Sequence, residues 1–151
     1  MGTIFVDNLE PQSGTSLTLG ASGDTVSLGS GGTVTNTPSF FVKLSGNQTI
    51  ADNTTTVVTF DSEVFDTDSA YDNSSNYRFT VPSGKAGKYV FGATAGYSNV
   101  NAGTSTRFQL MFAKNGSVTD FMGDYAQAQS ASADPTQNFV TAFDLSAGDY
   151  V

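Results

Sequence analysis

Large apolar side chains recur at every second position along much of this chain. Tyr89-Phe91-Ala93-Ala95-Tyr97 and Phe139-Thr141-Phe143-Leu145 are the longest runs. Shorter ones are Phe40-Val42-Leu44, Val58-Phe60, Tyr77-Phe79-Val81 and Phe108-Leu110-Phe112. A period of two puts these residues on one face of an extended strand and their polar or small neighbours on the other. An amphipathic helix needs apolar residues three and four apart, so the spacing confines the chain to sheets with one face toward a core. Turn residues separate the runs at Ser45-Gly46-Asn47, Asp72 to Asn76, Pro82-Ser83-Gly84, Lys114-Asn115-Gly116 and Ala147-Gly148-Asp149. Twelve Phe, six Tyr and 16 Gly fit that pattern, because aromatic side chains suit a pleated half-buried surface and glycine suits the turns. The fold class expected is all-β, a sandwich or jelly roll, with Phe79, Tyr89, Phe91, Phe108, Phe112 and Phe143 in its core.

Six basic residues against fourteen acidic ones give a net charge of -8. A phosphate backbone or an anionic membrane surface would be repelled, so neither nucleic acid nor membrane insertion is expected. No run of about 18 apolar residues exists to span a bilayer. The chain has no Cys and no His, which removes disulfides, thiolate chemistry, serine–histidine triads and ordinary zinc catalysis. The opening Met1 to Asp7 shows neither a basic start nor a long apolar stretch, so no signal peptide is expected.

Residues 1–38 read differently from residues 39–151. They hold no Lys or Arg, and Thr15 to Gly23 is followed by a matching Asp24 to Gly32, with Leu17 over Val26, Leu19 over Leu28, Gly20 over Gly29 and Gly23 over Gly32. Each unit reads as a brief alternating strand closed by a glycine turn. Two such units bury little alone and gain stability by stacking on neighbours. The expectation is a Gly/Ser/Thr-rich stem or particle-attachment segment; a flexible linker is the alternative. A calcium β-roll would need a Gly-Gly-x-Gly-x-Asp turn, which Gly20-Ala21-Ser22-Gly23-Asp24 lacks.

In residues 39–151 the order of several residues is distinctive. Phe60, Asp66 and Tyr71 are followed by Phe79, Pro82, Gly87, Tyr89 and Phe91, then by Leu110 to Gly116 ending in Lys-Asn-Gly, then by Leu145-Ser146-Ala147-Gly148-Asp149-Tyr150-Val151. This resembles the globular head of the first complement component, a trimeric jelly roll akin to tumour necrosis factor. The resemblance implies a homotrimer and, in some members, bound calcium. The chain departs from the family by one residue inserted before Phe79, two between Pro82 and Gly87, and Ala93 where an aromatic is usual. The family also has one strand beyond the position of Val151, so the resemblance implies either a chain that continues past Val151 or a head lacking its last strand, with an edge for a neighbour to cover. Asp7 to Thr15 with Leu17 to Asp24 resembles the opening of structural proteins from marine tailed phages, which implies a place on the exterior of a virion.

Asp61, Glu63, Asp66 and Asp68 are the calcium candidates, since hard cations take several oxygen ligands; a solvated acidic rim explains them equally. Asp61 and Glu63 also stand at a spacing that suits a glycosidase pair, which would need one carboxyl raised by burial. Tyr71, Tyr77 and Tyr125, near loops, are the ligand-binding candidates for stacking on sugars. The sequons at Asn47, Asn53, Asn73 and Asn115 read as turns. No catalytic residue and no other cofactor are assigned.

The functional expectation is a non-enzymatic phage virion structural protein: a trimeric fibre or spike head that attaches to the host surface, a glycan or a protein, with residues 1–38 contacting other virion proteins. Alternatives are a capsid decoration or cement protein with no receptor role, a secreted carbohydrate-binding head, and a short depolymerase.

Overall fold

A computed structural model describes residues 6, 9–14, 17–30, 32, 37–98, 108–118 and 135–151, together with the backbone of 107 and 125–127. Two units are present, residues 1–35 and 36–151. The described residues form β1 (Phe40–Lys43), β2 (Ser62–Asp66), β3 (Tyr71–Asp72), β4 (Arg78–Phe79), β5 (Gly87–Gly96), β6 (Arg107–Gln109), β7 (Tyr125–Gln127) and β8 (Thr136–Leu145), with no helix among them. The class is all-β. The ladders are four antiparallel pairs: β1–β2, β3–β4, β5–β8 and β6–β7.

The β5–β8 pair is the backbone of the second unit. Its ten-residue register is unbroken from Gly87 opposite Leu145 to Gly96 opposite Thr136. Burial alternates strictly along both strands, as the period of two requires. The inward side chains meet Phe79 and Val81 to form a core of Phe79, Val81, Phe91, Phe143 and Leu145, with Phe40, Tyr71, Tyr89, Phe112 and Val151 packed at its margin. Phe91 is the hub: its ring centroid lies 5.7 Å from those of Phe79 and Phe143, 5.9 Å from Phe112 and 6.1 Å from Phe40. These tilted and edge-on arrangements are the ones aromatic quadrupoles favour. Of the six aromatics expected inside, Phe79, Phe91 and Phe143 are buried, whereas Tyr89, Phe108 and Phe112 are only half-buried. Tyr89 stays at the rim because its hydroxyl donates to the Lys85 carbonyl. Gln137 is fully enclosed, and its amide is satisfied: Tyr97 donates to Oε1 at 2.8 Å and Nε2 donates to the Phe108 carbonyl at 3.2 Å.

The last residues lie between two other segments. Phe79 and Val151 exchange backbone hydrogen bonds of 2.9 and 3.0 Å, and Val81 N–H donates to the Asp149 carbonyl at 2.9 Å. On the other edge, Asn115 N–H donates to the Tyr150 carbonyl, and Tyr150 N–H donates to Asn115 Oδ1, each at 2.9 Å. Asn115 Nδ2 also donates to Asp149 Oδ1 at 2.9 Å. Asn115 reaches this geometry with a φ of 50°, a left-handed turn conformation that asparagine tolerates.

Two local expectations are revised. Val58-Phe60 forms no strand; the Gln48 side chain stands in for a ladder, donating from Nε2 to the Val57 carbonyl at 2.8 Å and accepting from Thr59 N–H at 2.9 Å. The nine-residue units of the first unit form turns without strands among the described residues. Asp24 closes one turn, with its N–H donating to the Ala21 carbonyl at 3.0 Å and its Oδ2 accepting from Ala21 N–H at 2.7 Å. In the second unit of the repeat the turn falls one position earlier, where Gly32 N–H donates to the Gly29 carbonyl at 2.8 Å.

Candidate functional site

The broadest regular surface is the outward face of β5–β8. Its ten residues are Lys88, Val90, Gly92, Thr94 and Gly96 opposite Asp144, Ala142, Val140, Asn138 and Thr136, all exposed. Val90 is 74% exposed and Val140 67%. The Lys88 ammonium pairs with Asp144 at 2.9 Å at one end, and Thr94 donates to Asn138 at 2.7 Å toward the other. Between them Val90, Gly92, Val140 and Ala142 form a contiguous apolar field. Sequence alternation placed these residues outward but gave no reason for valines to be there; the signal was that only Lys88 and Asp144, at one end, carry charge on the polar phase of the two strands.

A smaller apolar patch comes from a bulge. The register skips Val64 between the pairs Phe41–Phe65 and Val42–Glu63. The extra residue bends the strand and leaves Phe41, Val64 and Phe65 about half exposed, with the two rings 6.3 Å apart. Neither phenylalanine was among the aromatic ligand candidates.

Tyr71 stacks on Phe40 at 5.1 Å between ring centroids, and its hydroxyl is buried without a hydrogen-bond partner among the described residues. Burial first, then the Asp72 charge, pushes that hydroxyl's pKa up to about 12. Tyr71 also borders an open hollow of about 380 Å³ shared with Asp68, Asp72 and Pro82. Tyr77 is half-buried at a φ of 51°. The Tyr125 side chain lies outside the described residues.

The acidic candidates serve their own loops. Asp61 accepts Ser45 N–H at 2.8 Å and Ser45 Oγ–H at 2.6 Å, and these donors hold its carboxyl below the usual value, opposite to what a general acid requires. Asp66 accepts the N–H of Tyr71 at 2.7 Å and of Asp68 at 3.3 Å, and Asp68 accepts the Thr67 hydroxyl at 3.0 Å. Glu63 is exposed on β2 opposite Val42. Among the described residues no three acidic side chains converge as a cation site would need. Asp72, outside that set, carries the densest acceptor load. It takes N–H bonds from Ser74 at 3.0 Å, Ser75 at 2.9 Å and Asn76 at 3.1 Å, plus Asn76 Nδ2 at 2.7 Å. The Ser74 and Ser75 amides lead in holding its carboxyl well below the usual range.

No family model, curated protein or solved structure matches this chain. The surfaces above offer non-covalent contact: an apolar field with an ion pair at one end, and an aromatic bulge.

Proposed function

We propose that this protein is a virion structural protein without catalytic activity: the homotrimeric jelly-roll head of a bacteriophage fibre or spike, borne on the stem of residues 1–38 and used to attach the particle to the host surface. The observation that carries the reading is in the stem. Leu17, Leu19, Val26 and Leu28 stand 44–60% exposed at alternating positions of two matching units. Apolar positions repeated in this way gain nothing in water and gain stability once a second layer covers them. Sister chains or another virion protein supply that layer. The head contains its own aromatic core and needs no such help to fold. Three heads on one stem turn a weak receptor contact into avid adhesion without new chemistry.

The test is localisation followed by competition. Antibody against the full chain should label the exterior of particles purified from a lysate that carries the gene. Added full-length protein should then reduce adsorption of those particles to host cells. Unlabelled particles would overturn the virion reading. Labelled particles whose adsorption is unaffected would overturn host attachment and leave a decoration role.

A further inference from the structure

We infer that the outward face of β5–β8 is the surface through which copies of this chain meet, with the field Val90, Gly92, Val140 and Ala142 at its centre. The inference rests on the trimeric reading for the number of copies, but not for the choice of face.

Gly92 is the first argument. A glycine in a strand interior costs roughly 0.5–1 kcal/mol relative to alanine. Three local reasons for it are absent here. Its φ lies outside the left-handed region, and the ladder runs through it in regular register without a bulge. Among the described residues a Cβ at this position would meet only Val140 Cγ2, at an ordinary 3.5 Å. The fold of a single chain therefore accepts alanine here. The remaining common reason for a mid-strand glycine is the close approach of another backbone. That approach comes from outside, because the face is open.

Exposure is the second argument. Val90 and Val140 are the most exposed large apolar residues described in this chain, at 74% and 67%, and they lie on neighbouring rungs of the ladder beside Gly92 and Ala142. A contiguous apolar field on the solvent side of a ladder marks a contact surface more than scattered single residues do.

Charge selects the occupant. Eight of the ten residues on the face are uncharged, and the other two are Lys88 and Asp144, paired across the ladder. The face is neutral on a chain whose net charge is -8. Two copies repel each other over most of their acidic surface and least here. A second copy also presents the same lysine and aspartate, so each charge finds its opposite in the neighbour; a basic or an acidic partner would leave one of them facing its own sign.

The test uses the full chain at micromolar concentration, with mass read by light scattering and native mass spectrometry. Wild type should show three times 15.7 kDa. Val90→Asp with Val140→Asp should show one copy, with β-sheet circular dichroism retained. Phe41→Asp with Val64→Asp, on the other apolar patch, should remain at three copies. A trimeric Val90→Asp/Val140→Asp chain would overturn the face and leave the trimer standing. A dimeric wild type reduced to one copy by the same change would support the face and overturn the trimer. A monomeric wild type would overturn both. Gly92→Ala separates contact from folding: the assembly constant should weaken by about tenfold, the effect of one unaccommodated methyl, while the thermal midpoint of the head holds or rises. An unchanged assembly constant in Gly92→Ala would overturn the close-approach argument.

Discussion

The two units carry the same alternating pattern and put it to opposite use. In residues 36–151 the pattern meets a second layer: Phe91 and Phe143 on the β5–β8 ladder face Phe79 and Val81, and all four are buried. In residues 1–35, Leu17, Leu19, Val26 and Leu28 alternate just as regularly and remain exposed. Periodicity specifies which way a side chain points; burial requires something opposite it, and enough side-chain volume to fill the gap. Leucines and valines between glycine turns supply neither. The β5–β8 ladder repeats the contrast within a single element, with aromatic residues on one face and Val90 and Val140 on the other.

The largest expected effect is at the hub. Phe91→Ala should lower stability by about 3–5 kcal/mol in denaturant unfolding, since it removes a buried ring and leaves a cavity among five others. A loss below about 1 kcal/mol would mean that the head does not depend on this core. Asn115→Ala should cost about 1–2 kcal/mol, because two hydrogen bonds to residues 149 and 150 vanish and alanine resists a φ of 50°. Asn115→Gly restores the backbone freedom but not the bonds, so its thermal midpoint should fall between those of Asn115→Ala and wild type. Tyr71→Phe should be neutral or stabilising by up to about 1 kcal/mol, because it deletes a buried hydroxyl that has no partner among the described residues. A clear destabilisation would show that the hydroxyl is satisfied after all.

Acid should act on the loops rather than the core. The Asp72 carboxyl titrates below its ordinary 3.8 in the folded chain because Ser74 and Ser75 donate to it. Its contribution is therefore complete above that value and is lost as pH falls through the folded one. The thermal midpoint should decline below about pH 4, and less steeply in Asp72→Asn. The smallest effect belongs to the stem. Leu19→Ser with Leu28→Ser should leave head unfolding unchanged within about 0.5 kcal/mol, because neither side chain is buried. A larger loss would break the division between the two units.

Where sequence and structure agree, the information was local. Turn chemistry at Pro82-Ser83-Gly84, Asn115-Gly116 and Ala147-Gly148, and the phase of β5 and β8, follow from residue type and period alone. The pairing of β5 with β8 was not legible, because it joins residues as far apart as Lys88 and Asp144, 56 positions away. Val58-Phe60 alternates like a strand, yet the Gln48 side chain occupies the place a neighbouring strand would take. The acidic candidates were readable as oxygen-rich, but whether carboxylates converge or turn onto neighbouring backbone amides depends on loop geometry. For Asp61 and Asp66 the amides won. Val90 and Val140 looked unremarkable in the sequence because a single valine on a polar phase is common; only the ladder register makes them neighbours.

The position of Asp149–Val151 between Phe79–Val81 and Asn115 sets a timetable for making the molecule. Phe79 waits for a partner roughly seventy residues downstream, so its sheet edge stays open until those residues have left the ribosome. Closing so long a loop before any contact rewards it is slow, and refolding in the millisecond-to-second range is expected by stopped-flow tyrosine fluorescence. Throughout that interval residues 1–35 are already made while the second unit is still incomplete.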